Sequence, residues 1–483
     1  MRPKLELLDR SLVERVLSEA FELIREPGVK VQNPLAVELL ASSGARIESG
    51  IAQIPETLAR KALGMVPREF FLHDRAGHPA VRYGSDAVHF DPGSAGVQVL
   101  DPDTRQSRPS MAADLVRLVQ VAEMLPQYAA QSTAVVCGDV PASIGDLYRL
   151  FLVLMYSDKP IVTGSFSART TQVMIDLLAI DAGGHAALKA RPRAVFDVCP
   201  SPPLNWSDFA ARNLIDLARA GVPAEIVSMP LAGGTAPVTL IGSVVQHAAE
   251  CLSGITIHQL AQPGAPIVWG GAPAILDMRT GSTPMGAIET AMIDAAYAQV
   301  GQFLGLPTHA YLGASDSKVV DVQAGLESGV SALIGALAGI NMISGAGMVN
   351  FLLCQSAEKL VIDAEGIAMA QRLLRGVEAR TDTLATGVFA QIGLSGDFLK
   401  LKDTRRLFQQ EQHLPSKVID RASLQAWRDA GSPDGYARAK VRVNELIAAY
   451  KRPILPPEVE RELRALVERE ATRAGLNDLP GLP

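Results

Sequence analysis

The stretch RAVFDVCPSPPLNWSDFAARNLIDLARAGVPAEIVSMPLAGG, residues 193–234, decides the architecture. A short apolar run from Val195 breaks into a proline-rich polar loop, continues as an amphipathic helix and, past Gly221, Val222 and Pro223, gives way to a second apolar run near Glu225. The rhythm repeats on both sides. Runs begin near Ser132, Ile161, Val195, Glu225, Ile267, Thr308 and Asn341, at spacings of 29, 34, 30, 42, 41 and 33 residues. Each interval holds a strand, a crossover helix and two loops, so the pattern predicts a parallel sheet. Seven near-even units with no GxGxxG after the first strand favour a closed TIM (β/α)8 barrel over a doubly wound sheet, with the eighth strand unplaced. Pro160, Pro192, Pro223, Pro266 and Pro307 each sit just before a run. There proline ends a helix and needs no ladder donor, which marks the bottom of the barrel.

Outward from this core, residues 1–125 read as a mainly helical N-terminal flanking region. Its first helix shows in the spacing of Leu12, Val16, Leu17, Ala20 and Leu23, and short strands and turns follow at 71–75 and 82–93. Residues 126–385 read as the barrel and 386–483 as a charged, helical C-terminal extension.

Composition narrows the class. The 483 residues carry 45 Lys+Arg against 51 Asp+Glu, a net charge of −6 that gives no footprint for nucleic acid or an anionic membrane. With 48% hydrophobic and 20% charged residues the chain can build a large core. Cys137, Cys199, Cys251 and Cys354 lie far apart, without metal-ligand spacing, so neither a metal site nor a disulfide scaffold is expected. The N-terminus lacks a secretory pattern, and no window approaches the ~20 uncharged apolar residues of a membrane span. A cytoplasmic protein is the expectation.

In such a barrel the chemistry sits in the loops after the strands. The densest group is SDSKVVDVQAGLES, residues 315–328, where Asp316, Asp321 and Glu327 stand close in sequence with Lys318 and Gln323. Asp316 and Ser317 can cap a helix; capping does not explain Lys318, Gln323 and Glu327. Arg279 at the end of the fifth unit suits a carboxylate or phosphate, or a salt bridge to Asp277. Trp206, Trp269, Tyr311, His309, Phe166 and Phe351 fall near strand ends, where rings form a cation cage or simply pack. The pairs Gly233, Gly234 and Gly270, Gly271 follow two strands and allow close approach of a ligand to the backbone, or a tight turn. His247 and His258 fall on a predicted outer helix and read as structural.

Taken in order, GARI (44–47), IPETL (54–58), HFDPG (89–93), SDKP (157–160), DMRTG (277–281), SDSKVVDVQAG (315–325), GAGM (345–348), EKLVIDAE (358–365) and LPSKVIDR (414–421), with Trp427, resemble the trimethylamine:corrinoid methyltransferase family, in its members without pyrrolysine. The resemblance spans nearly the whole chain. It implies a TIM barrel that passes a methyl group from a small methylated amine to cob(I)alamin on a separate corrinoid protein, with no cofactor held tightly by the barrel itself. Founding members carry pyrrolysine in the stretch matching Glu327 to Val330; ordinary residues here imply a quaternary amine such as a betaine. The resemblance places Asp316, Lys318 and Glu327 at the reaction. Arg279, Trp269, Tyr311, His309, Phe90, Gln323 and Ser344 then face the donor, and Gly233, Gly234, Gly270, Gly271 and Asp321 the corrinoid. Leu326 and Ser344 stand where many relatives carry rings, which leaves an O-methyl or sulfonium donor open. Two other readings remain: a noncatalytic barrel that binds a methylated small molecule, and a lyase or hydrolase using Asp316, Lys318 and Glu327. The expected partners are a methylated substrate, a corrinoid protein and further copies of the chain.

Overall fold

Eight short parallel strands, each buried on both faces, are the frame on which everything else is hung. The computed structural model describes residues 2–394, 396–480 and 482. The strands are β1 (His89–Pro92), β2 (Gln131–Ser132), β3 (Ile161–Gly164), β4 (Ala194–Val198), β5 (Ala224–Ser228), β6 (Ile267–Gly271), β7 (His309–Ala310) and β8 (Met342–Ala346). Strands β2 to β6 form one continuous parallel ladder. A bridge between Trp269 and Thr308 joins β6 to β7. Strand β8 pairs with both β7 and β1, and Ala129 N donates to Phe90 O at 2.9 Å to close the ring at β2.

All seven runs marked in the sequence are strands. The eighth is His89–Pro92, which lies inside the segment assigned as flanking, so the barrel begins well before residue 126. Eight helices follow the strands in turn: α1 (Ala112–Glu123), α2 (Gly145–Tyr156), α3 (Ala168–Ala182), α4 (Asp208–Ala220), α5 (Leu240–Ala261), α6 (Ile288–Phe303), α7 (Val322–Leu337) and α8 (Ala357–Leu374).

The bottom of the barrel is plugged by a hairpin, Phe70–His73 with Pro79–Tyr83. Its Leu72, Val81 and Tyr83 pack on Ala130, Val162, Val195, Val268 and Met342 from the strands. Water is thereby excluded from one end, and only the top can admit a substrate. The N-terminal helix Arg10–Arg25 starts at Asp9, whose carboxylate accepts from Leu12 N at 2.9 Å. It buries Val13, Val16, Leu17, Ala20, Phe21 and Ile24, a stripe rotated slightly from the one read in the sequence because Leu12 and Leu23 sit at its margins. That stripe lies on α5. Helix α5 is long enough and of high enough mean hydropathy to cross a membrane, nearer that limit than the sequence reading allowed, and it is packed inside the protein. The C-terminal helices Gly435–Ala449 and Pro457–Arg473 cover the outside of α8, α1, α2 and α3.

Candidate active site

The top of the barrel holds a cavity of about 350 Å³ with Arg149, Phe166, Asp197, Phe209, Met229 and Tyr311 among its walls. Asp197 comes from β4, Phe166, Met229 and Tyr311 follow β3, β5 and β7, and Arg149 and Phe209 reach in from α2 and α4. Strand ends and helix starts meet here by construction, so one side chain from each of several units converges on the axis. Leu352 reaches the cavity from the loop after β8. That loop holds three successive residues in the left-handed region, Asn350, Phe351 and Leu352, at φ of 53°, 56° and 66°. Side chains rarely adopt this backbone, so the surroundings must impose it. Part of the restraint is visible: Asn350 N donates to Ser317 O at 2.8 Å, and the Lys318 ammonium lies 3.9 Å from the centre of the Phe351 ring.

Beneath the cavity runs a buried polar chain. Tyr83 Oη donates to Glu225 Oε2 at 3.2 Å, and Glu225 Oε1 stands 3.0 Å from His309 Nδ1. Neither of those last two atoms has another partner. Burial pushes the Glu225 carboxyl well up and the His309 imidazole down to about 3, so a protonated carboxyl faces a neutral ring. His309 Nε2 then donates to Ser344 Oγ at 3.0 Å, and Ser344 Oγ to Asp91 Oδ1 at 2.5 Å. Burial also raises Asp91 well above the usual carboxylate range.

Asp197 connects this chain to the cavity. It is the register partner of Glu225, and Tyr311 Oη donates to its Oδ2 at 2.8 Å. Burial lifts Asp197 to about 6, opposed by hydrogen bonds to Glu225 and Tyr311. The two carboxyls therefore share one proton near neutrality, and the cavity floor carries one negative charge rather than two.

Of the residues expected at the site, Tyr311 and Phe166 line the cavity, and His309 and Ser344 belong to the chain beneath it. The others lie elsewhere. Trp269 is buried in the core, its Nε1 donating to Tyr297 O at 3.0 Å, and Phe90 is buried in β1. Arg279 is 88% exposed and clasps Asp277 through Nε and Nη2. Gly270 and Gly271 leave room for neighbours and not for a ligand: a Cβ at Gly270 would lie 2.8 Å from Ile226 O, and one at Gly271 2.6 Å from His247 Nε2. Gly233 forms a turn at φ +88°, with Gly234 beside it.

The 315–328 cluster comes together beside the cavity, each group held by a neighbour. Glu327 Oε2 accepts from Ser315 Oγ and Asp316 N, and Glu327 Oε1 from Gln323 Nε2. Asp316 accepts from Met285 N and Gly286 N, and burial raises it to about 6. Asp321 caps α7, and Lys318 Nζ donates to Asp316 O at 2.7 Å. The cluster fastens the loops after β6 and β8 to the loop after β7. Asp91, Asp197, Glu225 and Arg149 were not singled out in the sequence. Asp197 and Glu225 are lone charges in the apolar strands AVFDV and AEIVS, and Arg149 and Asp146 are the charges in the apolar helix GDLYRLFLVLMY; that was the available signal, and Asp91 in HFDP gave none.

A TIM barrel plugged below, open above, and lined at its mouth by rings, sulfur and buried charged groups belongs to the class of barrel enzymes whose chemistry sits at the strand C-terminal face. The chain belongs to the trimethylamine methyltransferase (MTTB) family, whose model matches residues 1–475, and it is a methyltransferase. It is 28% identical to the trimethylamine methyltransferase of Desulfitobacterium hafniense over 461 residues, 95% of this chain and 92% of that one. Identity to the trimethylamine methyltransferase of Methanosarcina barkeri is 30% over 477 residues, 96% and 95% of the two chains. A glycine betaine methyltransferase of D. hafniense is 28% identical over 476 residues, 98% of each chain. Among solved structures, the monomethylamine methyltransferase of M. barkeri shares the fold, with a TM-score of 0.56 at 14% identity over 93% of this chain and 90% of that one.

Proposed function

We propose that this enzyme moves a methyl group from a small methylated amine with a permanent positive charge to cob(I)alamin on a separate corrinoid protein, in the cytoplasm. The observation that carries the reading is the cavity: apolar and aromatic walls that carry, besides the Arg149 guanidinium, one negative charge shared by Asp197 and Glu225 on the floor, and an opening at the top. The corrin is much larger than about 350 Å³, so the residues here fit the donor, and the corrin is presented at the mouth by its carrier. Cob(I)alamin supplies the nucleophile for an in-line displacement at the methyl carbon. The C–N electron pair stays on nitrogen, which leaves as a neutral amine without needing a proton.

The chain's own task is orientation and charge control. Phe166, Phe209 and Tyr311 surround the cation, and Asp197 faces it through the Tyr311 hydroxyl. Positive charge on nitrogen disappears in the transition state, so a strongly anionic wall would hold the ground state and slow the reaction. Sharing one proton between Asp197 and Glu225 keeps that wall weak. We propose in addition that copies of the chain associate through segment 377–414, several of whose apolar side chains, Val377, Leu384, Leu394, Leu399 and Phe408 among them, face outward.

The test mixes the protein with chemically reduced cob(I)alamin and a panel of methylated amines, betaines and methyl ethers, following loss of the cob(I)alamin spectrum and appearance of the demethylated product. Conversion of a quaternary amine is the expected result. No conversion of any donor, repeated with a corrinoid protein present, would overturn the reading. The lyase alternative needs Asp316, Lys318 and Glu327 free to act as acid and base; each instead has a loop-fastening partner.

A further inference from the structure

One charge at the cavity makes no direct ion pair among the described residues. Arg149 is 1% exposed yet lines the cavity. Its Nη1 donates to Thr133 O at 3.1 Å, its Nη2 reaches Gly164 O only at 3.5 Å, and its guanidinium carbon lies 4.7 Å from the Phe166 ring centre. Its Nε has no partner, and among the described residues it makes no ion pair. The carboxylate with the strongest influence on it, Asp146, is engaged by Phe166 N and Thr170 Oγ1. Asp197 is engaged by Tyr311. A guanidinium has five donors and stays charged at neutral pH, and a buried charge whose donors are incompletely paired is unfavourable.

We infer that Arg149 is the specificity-determining residue of the donor cavity: it receives an anionic group of the methyl donor, a carboxylate or sulfonate, while the side formed by Asp197, Tyr311 and the rings receives the methylated cation. The inference rests on the methyltransfer reading above and gives the anion-anchoring role to Arg149, since Arg279 is exposed and already paired with Asp277. Opposite charges fixed on one small cavity are complementary to a dipolar donor. A purely cationic amine would add a like charge and leave Arg149 unpaired, so the cavity selects against it as well as for its proper ligand. The Asp197 carboxyl, held near 6, is largely ionised at neutral pH, so both poles are present together.

The test is calorimetric binding to the intact protein at neutral pH without cobalamin. The probes are trimethylammonio acids with one, two or three methylenes between the charges, the methyl ester of each, and choline. At least one acid is expected to bind about 10–100-fold more tightly than its ester and than choline, the difference a charge-assisted bidentate contact provides. Arg149→Met should abolish that preference and Arg149→Lys retain part of it. The ester comparison on the unaltered protein stands whether or not the variants fold. Esters or choline binding as tightly as the acids would overturn the inference, as would failure of every acid to bind at about 10 mM, the range of a barely specific ligand. Because cobalamin is absent, a failure of methyl transfer shows only in the other assay, and the two readings fail separately.

Discussion

Tyr311 joins the cavity to the buried carboxyl pair, and its hydroxyl is the only part that Tyr311→Phe removes. The ring stays in the cation wall, while Asp197 loses a donor that favours its charged form. We expect kcat/KM to fall about 10–100-fold, in keeping with the ~1.5–3 kcal/mol of one hydrogen bond to a charged group, with little change in Tm. Asp197→Asn should behave differently. The folded protein holds this carboxyl near 6 against an ordinary 3.8, so Asp197 weighs against folding as pH rises from about 4 through 6 and above. Removing the charge should stabilise the protein by roughly 1–3 kcal/mol at neutral pH, the smaller end reflecting that the group opens onto the cavity, and by nothing below about pH 4. Melting curves across this pH range check the slope. An activity assay on the same samples should show the loss of turnover that goes with the gain in stability.

Among the connecting elements, the loop after β7 supports its neighbours. Lys318 over Phe351 braces a loop of three left-handed residues, a contact of about 0.5–1 kcal/mol near the surface. Lys318→Met should therefore raise KM a few-fold and leave kcat nearly unchanged; an acid–base role would instead remove 10²–10⁴-fold of kcat. Gly271→Ala would press a methyl onto His247, whose ring is stacked on Tyr297 at 3.9 Å and cannot retreat. Overpacking of that kind costs about 1–3 kcal/mol and should appear as a lowered Tm. These elements also show what could be read in advance. Buried parallel strands are nearly continuous apolar runs, so seven of eight were visible from Ser132 to Asn341. His89–Pro92 escaped because a four-residue strand containing His, Asp and Pro has the composition of a turn. Tyr311, His309 and Ser344 were legible from their place at strand ends. Arg149 was not, since a helix whose every residue is buried offers no face to read, and only the contrast of Asp146 and Arg149 with their apolar neighbours marked it.

For the molecule as a whole, the unfinished surface is segment 377–414. Its helices Thr386–Ile392 and Lys402–Glu411 contain no buried residue. Val377 is 96% and Leu394 98% exposed, and Leu384, Leu399 and Phe408 also face outward. Single exposed apolar residues are ordinary, but so many along one segment are the basis for the proposed self-association. The rest of the extension does not share this character: Gly435–Ala449 and Pro457–Arg473 bury Val443, Leu446, Leu463 and Val467 against the barrel helices. The contrast separates a tail that completes its own barrel from a segment suited to another chain. Light scattering on the purified protein at micromolar concentration should therefore give a multiple of the chain mass. Combining Leu394→Ser, Leu399→Ser and Phe408→Ser should shift it toward the monomer and leave donor binding in place, because none of the three residues approaches the cavity. A wild-type monomer under these conditions would refute self-association through this segment. The corrinoid carrier would then be the occupant to test next, by asking whether the triple variant still transfers methyl to free cob(I)alamin but no longer to the carrier.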